Sequence, residues 1–278
     1  MRRRGCLVGG LLAIAGGSTL AQWSPNMPRM ALVVGNGAYK VAPLQSTLND
    51  VNLMADALQS VGFAVERFTD LTDRQFQSAV EAFARKAGRA GVLSLVYLAG
   101  HGSTVRGSMR FLGLSAEPVR SEDDVERHST DLAWVLKTMA TQRSVGPAPR
   151  APILLVADMD TTEDFLAPGT PPTHPAILRK TLEQESGTLV MLPNVFGRSS
   201  LETEDGKNGI LTKQLVASLS FEGATLNQIA NRTLVMAHRE STQRLSPQIV
   251  RSNVNADEIV FKPRQDDPKV RGRSARGG

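Results

Sequence analysis

Short, continuously apolar runs alternate with amphipathic stretches along most of this chain. Residues 30–39, MALVVGNGAY, open with apolar Ala31 to Val34 and run into a glycine turn. An unbroken apolar run of that length fits a strand buried on both faces of a parallel sheet. In STLNDVNLMADALQSVGF, residues Leu48, Val51, Leu53, Met54, Ala57, Leu58 and Val61 recur at helical spacing, and Gly62 stops the helix. FAVERFTDL reads as a second strand. TDRQFQSAVEAFARKAGRAG reads as a second helix, capped by Thr72, with Phe76, Val80 and Phe83 on one face and Gly88 or Gly91 at its end. VLSLVYLAGHG is a third strand, with His101 just beyond its carboxyl end. STDLAWVLKTMA predicts a helix capped by Ser129 or Thr130, PILLVADMD a fourth strand and SGTLVMLPN a fifth. Two late helices, NGILTKQLVASLS and TLNQIANRTLVMAHREST, precede a short strand in SPQIVRS. This βαβ rhythm predicts an α/β fold with a mainly parallel sheet and helices on both faces. Ligands of such sheets sit outside the carboxyl ends of the strands. Three loops collect there: GNGAY, GHGS and DMDTTED.

Composition changes the picture mainly at the two ends. Arg2, Arg3 and Arg4 precede the apolar stretch CLVGGLLAIAGG and the small residues STLA. This is the layout of a secretory signal peptide over residues 1–21, the alternative being an anchor retained uncleaved. It predicts an exported chain, periplasmic or secreted. The remaining residues, about 257, suit one large domain or two small ones. Cys6 is the only cysteine, so the chain beyond it holds no thiol, no disulfide and no zinc thiolate. The formal charge of +5 is carried by the ends. With the three leading arginines and a net +4 over residues 262–278 removed, about −2 remains between them. That excludes a nucleic-acid binder with a basic folded surface. The segment 263–278, almost without apolar residues, is expected to be a disordered basic tail. Membrane contact is expected only through the leader or this tail.

His101 is the first candidate for chemistry. Glycines on either side let other groups approach it closely. Two roles fit: a general base, or a turn histidine bonding to a nearby carbonyl. His128, His174 and His238 show no metal-ligand spacing. GNG, with Gly35 and Gly37 about Asn36, lacks the third glycine of a dinucleotide site. DMDTTED carries Asp158, Asp160, Glu163 and Asp164, and SEDDVER carries Asp123 and Asp124. Such oxygen-rich runs can hold calcium, but neither has an EF-hand's glycine turn, so no cofactor is assigned and a solvated loop is the simpler reading.

Taken in order, ALVVGNGAY, LNDVNLMADALQSVGFAV, LVYLAGHG, a strand ending in an acidic turn, GTLVMLP and DGKNGILTKQLVASL resemble the caspase and metacaspase superfamily of cysteine peptidases. The likeness covers residues 29–261, and the caspase-like domain is set at 28–262. It implies a three-layer fold, a mostly parallel sheet of about six strands between helices, and a histidine–cysteine dyad that cleaves peptide bonds. His101 falls on the family histidine. The family cysteine ends the fourth strand in the pattern Asp, any residue, Cys. Aligning ILLVADMD puts Ala157 at the aspartate and Met159 at the cysteine. A slip of one residue offers Asp158 or Asp160 instead. A thioether cannot be deprotonated to a nucleophile, and neither carboxylate supplies a thiol.

In metacaspases two aspartates line the pocket for a basic residue. Asp50, in LND, matches one, and its other role is as a first-turn acid favoured by the helix dipole. Ala157 stands for the second, and Ala99 replaces a polar residue two before His101. If Asp158 and Asp160 line the cleft, cationic peptides are favoured. The resemblance thus implies a pseudopeptidase that binds a peptide or protein partner. The alternative is a hydrolase with a displaced nucleophile, Ser103 or Thr104 after the histidine, or Thr161 or Thr162 after Met159. A dimer through the last strand is compatible with either.

Overall fold

The computed structural model describes residues 27–115, 121–143, 151–161, 176–194 and 200–264. The expected leader, the segment 265–278, Thr162, Glu163, Asp164 and His174 lie outside these residues. Five parallel strands form the body of the sheet: β1 (Arg29–Gly35), β2 (Phe63–Thr69), β3 (Leu93–Val105), β6 (Ile153–Thr161) and β7 (Thr188–Leu192). Antiparallel β8 (Gln248–Ser252) closes one edge, giving the order β2-β1-β3-β6-β7-β8. The short strands β4 (Ser108–Leu112) and β5 (Ser129–Asp131) extend it to eight. The expected three-layer, mostly parallel architecture is what the chain adopts.

Alternation along the buried strands divides the core in two. Ala31, Val33, Leu95, Tyr97, Leu154 and Val156 face one layer, covered by α1 (Thr47–Ser60), α6 (Ile210–Leu219) and α7 (Leu226–Glu240). Leu32, Val34, Val96, Leu98, Leu155 and Ala157 face the other, covered by α2 (Asp73–Ala90), α4 (Leu132–Arg143) and α5 (Ala176–Gln184). Thr72 caps α2 in a reciprocal pair with Gln75, and Gly91 ends it in the left-handed conformation, as the sequence predicts.

Several expectations are corrected. His101 lies inside β3, not beyond it: the strand runs on through the histidine and turns back at Arg106 and Gly107 to pair with β4. That extension was hidden because GHGST reads as turn sequence. Ser129 and Thr130 belong to β5, and the α4 amide of Ala133 bonds to Asp131 instead. The acidic stretch SEDDVER is α3 (Glu122–Arg127), where Asp123 pairs with Arg106 and Asp124 with Arg127. Those two carboxylates are therefore spent on ion pairs. Leu48, counted on the apolar face of α1, is exposed.

Asn36 shows why GNG is there. Its side chain is buried and donates to the carbonyls of Leu71 and Leu112 while accepting from the Leu71 amide. One side chain thus ties the end of β1 to the β2–α2 connection and to β4. Asp70 accepts from the amides of Gly37 and Ala38 and holds the same turn. Asn36→Ala strips two carbonyls and one amide of their buried partner. It is expected to cost roughly 2–4 kcal/mol, read as a lower urea midpoint at unchanged slope.

Candidate functional site

His101 is 2% exposed and held from three sides by the β1–α1 loop and its neighbours. Its backbone amide donates to the Tyr39 hydroxyl at 3.1 Å, which in turn donates to the Leu112 carbonyl. The Tyr39 ring lies against the imidazole with centroids 4.5 Å apart. Nε2 sits 2.6 Å from the Ala42 carbonyl, and since a carbonyl only accepts, Nε2 is the protonated nitrogen. The turn-histidine bond therefore exists. It also fixes the orientation of the ring.

Beside it, at the carboxyl ends of β1, β3 and β6, is a cavity of about 100 Å³. That is room for several waters or the head of one long side chain. Ala99 and Gly100 of β3, Asp158 of β6, Leu44 and Ser46 of the β1–α1 connection, Thr47 and Asp50 of α1, and Ser200 to Glu202 line it, with Gly209 at its base. The strand order reverses between β1 and β3, where ligands of open α/β sheets bind.

Two buried carboxylates dominate the cavity. Asp50, 4% exposed, accepts from the Asn208 side-chain amide at 2.9 Å and from the Gly209 amide at 3.0 Å. Asp158, 5% exposed, accepts from the Thr212 amide at 3.1 Å, the Thr212 hydroxyl at 2.6 Å and the Ser200 hydroxyl. The Tyr97 phenol, whose burial pushes its pKa well above the usual value, donates to Thr212 Oγ1 behind them. Thr212 is the third residue of α6, and Gly209 is its N-cap, with no side chain to bond the first turn. The two aspartates supply those acceptors, in the field of the helix N-terminus. A Cβ at position 209 would lie 2.5 Å from Asp158 Oδ2, so only glycine fits there. Glu202, exposed at the wall, adds a third negative charge, and Asn49 holds the adjoining loop through the Lys207 carbonyl.

Burial, then repulsion from Asp158, raises the Asp50 pKa from 3.8 to about 7. The Asn208 and Gly209 donors and, on the repulsive side, Glu202 make smaller contributions.

The sheet register corrects the alignment of Ala157 and Met159. In β6, Ala157 and Met159 pack into the α2–α4–α5 layer, away from the cavity. Met159 is fully buried, its Sδ and Cε within about 3.0 Å of where a Cβ on Gly102 would lie. Asp158 points the opposite way, into the cavity with Asp50. β6 pairs in parallel with β3, placing position 160 directly across from His101 and 158 across from Ala99. Position 158, not 157, therefore supplies the second carboxylate of the cavity beside Asp50, and position 160 is registered with His101. Alternation along the strand decides which residues reach the cavity: Asp158 lines it, and Ala157 and Met159 share the other face.

The sequence profile of the family described as the caspase domain matches residues 28–257. The chain belongs to the caspase domain family. The human mucosa-associated lymphoid tissue lymphoma translocation protein 1 (Homo sapiens) is 34% identical over 97 residues. That stretch is 34% of this chain and 12% of that protein.

Other expected residues of this caspase domain fall away from the cavity. Ser103 and Thr104 are buried in the β3–β4 hairpin and line no part of it. Thr161 is registered with Gly102. Among the described residues no group of three or more His, Cys, Asp or Glu is placed to hold a metal ion, and no helix is long and apolar enough to cross a membrane. The sequence reading gave Ser200, Glu202, Asn208, Gly209 and Thr212 no role. A glycine opening a helix with no capping side chain was the available signal: its first-turn amides needed acceptors from elsewhere.

A carboxyl that binds its proton more tightly folded than unfolded loses stability as pH rises from its unfolded to its folded pKa. For Asp50 that window is about pH 4 to 7. Asp50→Asn keeps an acceptor for Gly209 and turns a donor towards Asp158. Its melting temperature should exceed that of the wild type at pH 8, and the gap should shrink towards pH 4, as followed by circular dichroism.

Proposed function

We propose that this caspase domain is an exported, non-catalytic receptor for a basic side chain of a peptide or protein, a pseudopeptidase. The observation that carries this reading is the pair of buried carboxylates beside His101, with no cysteine anywhere in residues 28–257. Asp50 and Asp158 both line the cavity, and burial, then the charge of Asp158, raises the Asp50 pKa. Arginine offers five donors in a planar fork, able to bridge two carboxylates at once, and lysine a compact ammonium. Fixed, desolvated acids of this kind discriminate strongly by charge.

Peptide-bond cleavage by this family's chemistry needs a thiolate made or held by the histidine. Position 160, registered with His101, is an aspartate, and a carboxylate is a weak nucleophile beside a thiolate. The second reading, hydrolysis through a displaced hydroxyl, has little support at Ser103 and Thr104, which are buried outside the cavity. Placement outside the cytoplasm rests on the arginine-led apolar N-terminal pattern.

Labelled peptides carrying one Arg, Lys or Asp should separate these readings, with calcium present and absent. The wild type should bind the Arg peptide without cutting it, more tightly at pH 8 than at pH 6. Asp158→Asn should weaken that binding at least tenfold. Turnover that disappears in His101→Ala would overturn the non-catalytic reading.

The register makes a further distinction. Asp160→Cys restores a thiol across from His101 and should give measurable cleavage after Arg. Met159→Cys buries its thiol in the opposite layer and should give none. Cleavage by Met159→Cys alone would refute this assignment of the faces.

A further inference from the structure

The loop between β1 and α1 forms a lip of the cavity, and its outer surface is apolar. Val41, Ala42 and Pro43 are exposed in succession, Val41 at 55%. Leu44, next in the chain, lines the cavity with Ser46 and Thr47. The lip is held at its neck and at its tip. The Leu44 amide donates to the Gly37 carbonyl at 3.0 Å and closes the loop. Asp70 holds the same neck through the Gly37 and Ala38 amides. At the tip, His101 Nε2 bonds to the Ala42 carbonyl at 2.6 Å. Ala42 has a φ of +52°, in the left-handed region that alanine rarely adopts. Such a conformation persists only where its surroundings hold it, and the His101 bond acts at the strained residue itself. Single exposed apolar side chains are ordinary. A run of three, strained and pinned at the mouth of an acidic cavity, is a preorganised surface.

We propose that this lip is a second contact surface of the site, covered by an apolar side chain adjacent in sequence to the basic residue in the cavity, and that His101 is its positioning residue. The proposal rests on the reading of the cavity as a receptor for a basic side chain. Chain geometry supplies the link. Consecutive Cα atoms are about 3.8 Å apart, so a residue whose head enters beside Leu44 has its neighbours over the mouth, where Leu44 continues into Pro43, Ala42 and Val41. Covering on the order of 40 Å² of apolar surface there corresponds to about fivefold in affinity. The occupant is therefore a peptide in which an aliphatic residue flanks the basic one.

The test uses the full chain and three fluorescein-labelled peptides, Ala-Arg-Ala-amide, Leu-Arg-Ala-amide and Ala-Arg-Leu-amide, read by anisotropy. At least one leucine peptide should bind about fivefold more tightly than the alanine peptide. Val41→Ser changes an exposed side chain and should cut that preference to about twofold or less. His101→Leu removes the donor to Ala42 and should cut it likewise, whereas His101→Gln, whose side-chain amide can donate to the same carbonyl, should keep it. Three equal affinities, with binding intact, overturn the proposal and leave the receptor reading standing. A preference that Val41→Ser leaves unchanged places the apolar contact elsewhere and overturns it too. An undiminished preference in His101→Leu overturns the role given to His101. No binding of any of the three peptides overturns the receptor reading and the lip with it.

Discussion

A helix that begins on glycine must find acceptors for its first-turn amides elsewhere, and α6 finds them in two aspartates from other elements. Gly209 and Thr212 donate to Asp50 and Asp158, carried on α1 and β6. That requirement fixes much of the site. It dictates which face of β6 turns towards α1 and α6, forbids a side chain at position 209, and brings Ser200 and Asn208 in to satisfy the remaining oxygens. The helix dipole and these donors let two negative groups sit side by side where water is scarce. They do not cancel the repulsion between them, and Asp50 carries the residual strain as a raised affinity for its proton.

His101 is supported by a separate framework. Asn36, Tyr39 and the Ala42 carbonyl, all from the turn after β1, hold the histidine's strand and ring without touching the carboxylates. The acidic cavity and the oriented imidazole thus stand side by side on independent supports.

The layer architecture was legible in the sequence because it follows from periodicity. Apolar runs such as Ala31–Val34 and the stripe of Phe76, Val80 and Phe83 can be satisfied only in a sheet between helices. His101 and Asp50 were singled out by family resemblance, and Asp50 lines the cavity. The faces of β6 were harder to read. In a strand buried on both sides, hydrophobicity no longer tells in from out, so ILLVA gave no register, and only the spacing of Asp158 and Asp160 carried it. The hairpin after His101 was masked by glycines that serve close packing rather than a turn: Gly100 lies against Tyr39, and Gly102 against Met159. Ser200, Asn208 and Thr212 reach the cavity through long-range hydrogen bonds to residues as much as 158 positions away, which no local pattern records.

The central claim is that Asp50 and Asp158 form a receptor for a cation, and titration of the Asp50 side-chain carbon by NMR tests it most directly. In the full chain, the account predicts a midpoint near pH 7 without ligand. Saturation with acetyl-argininamide should drive that midpoint below about 6, as a guanidinium replaces the proton. A midpoint in the ordinary carboxylate range, or one that acetyl-argininamide leaves unmoved, would contradict it.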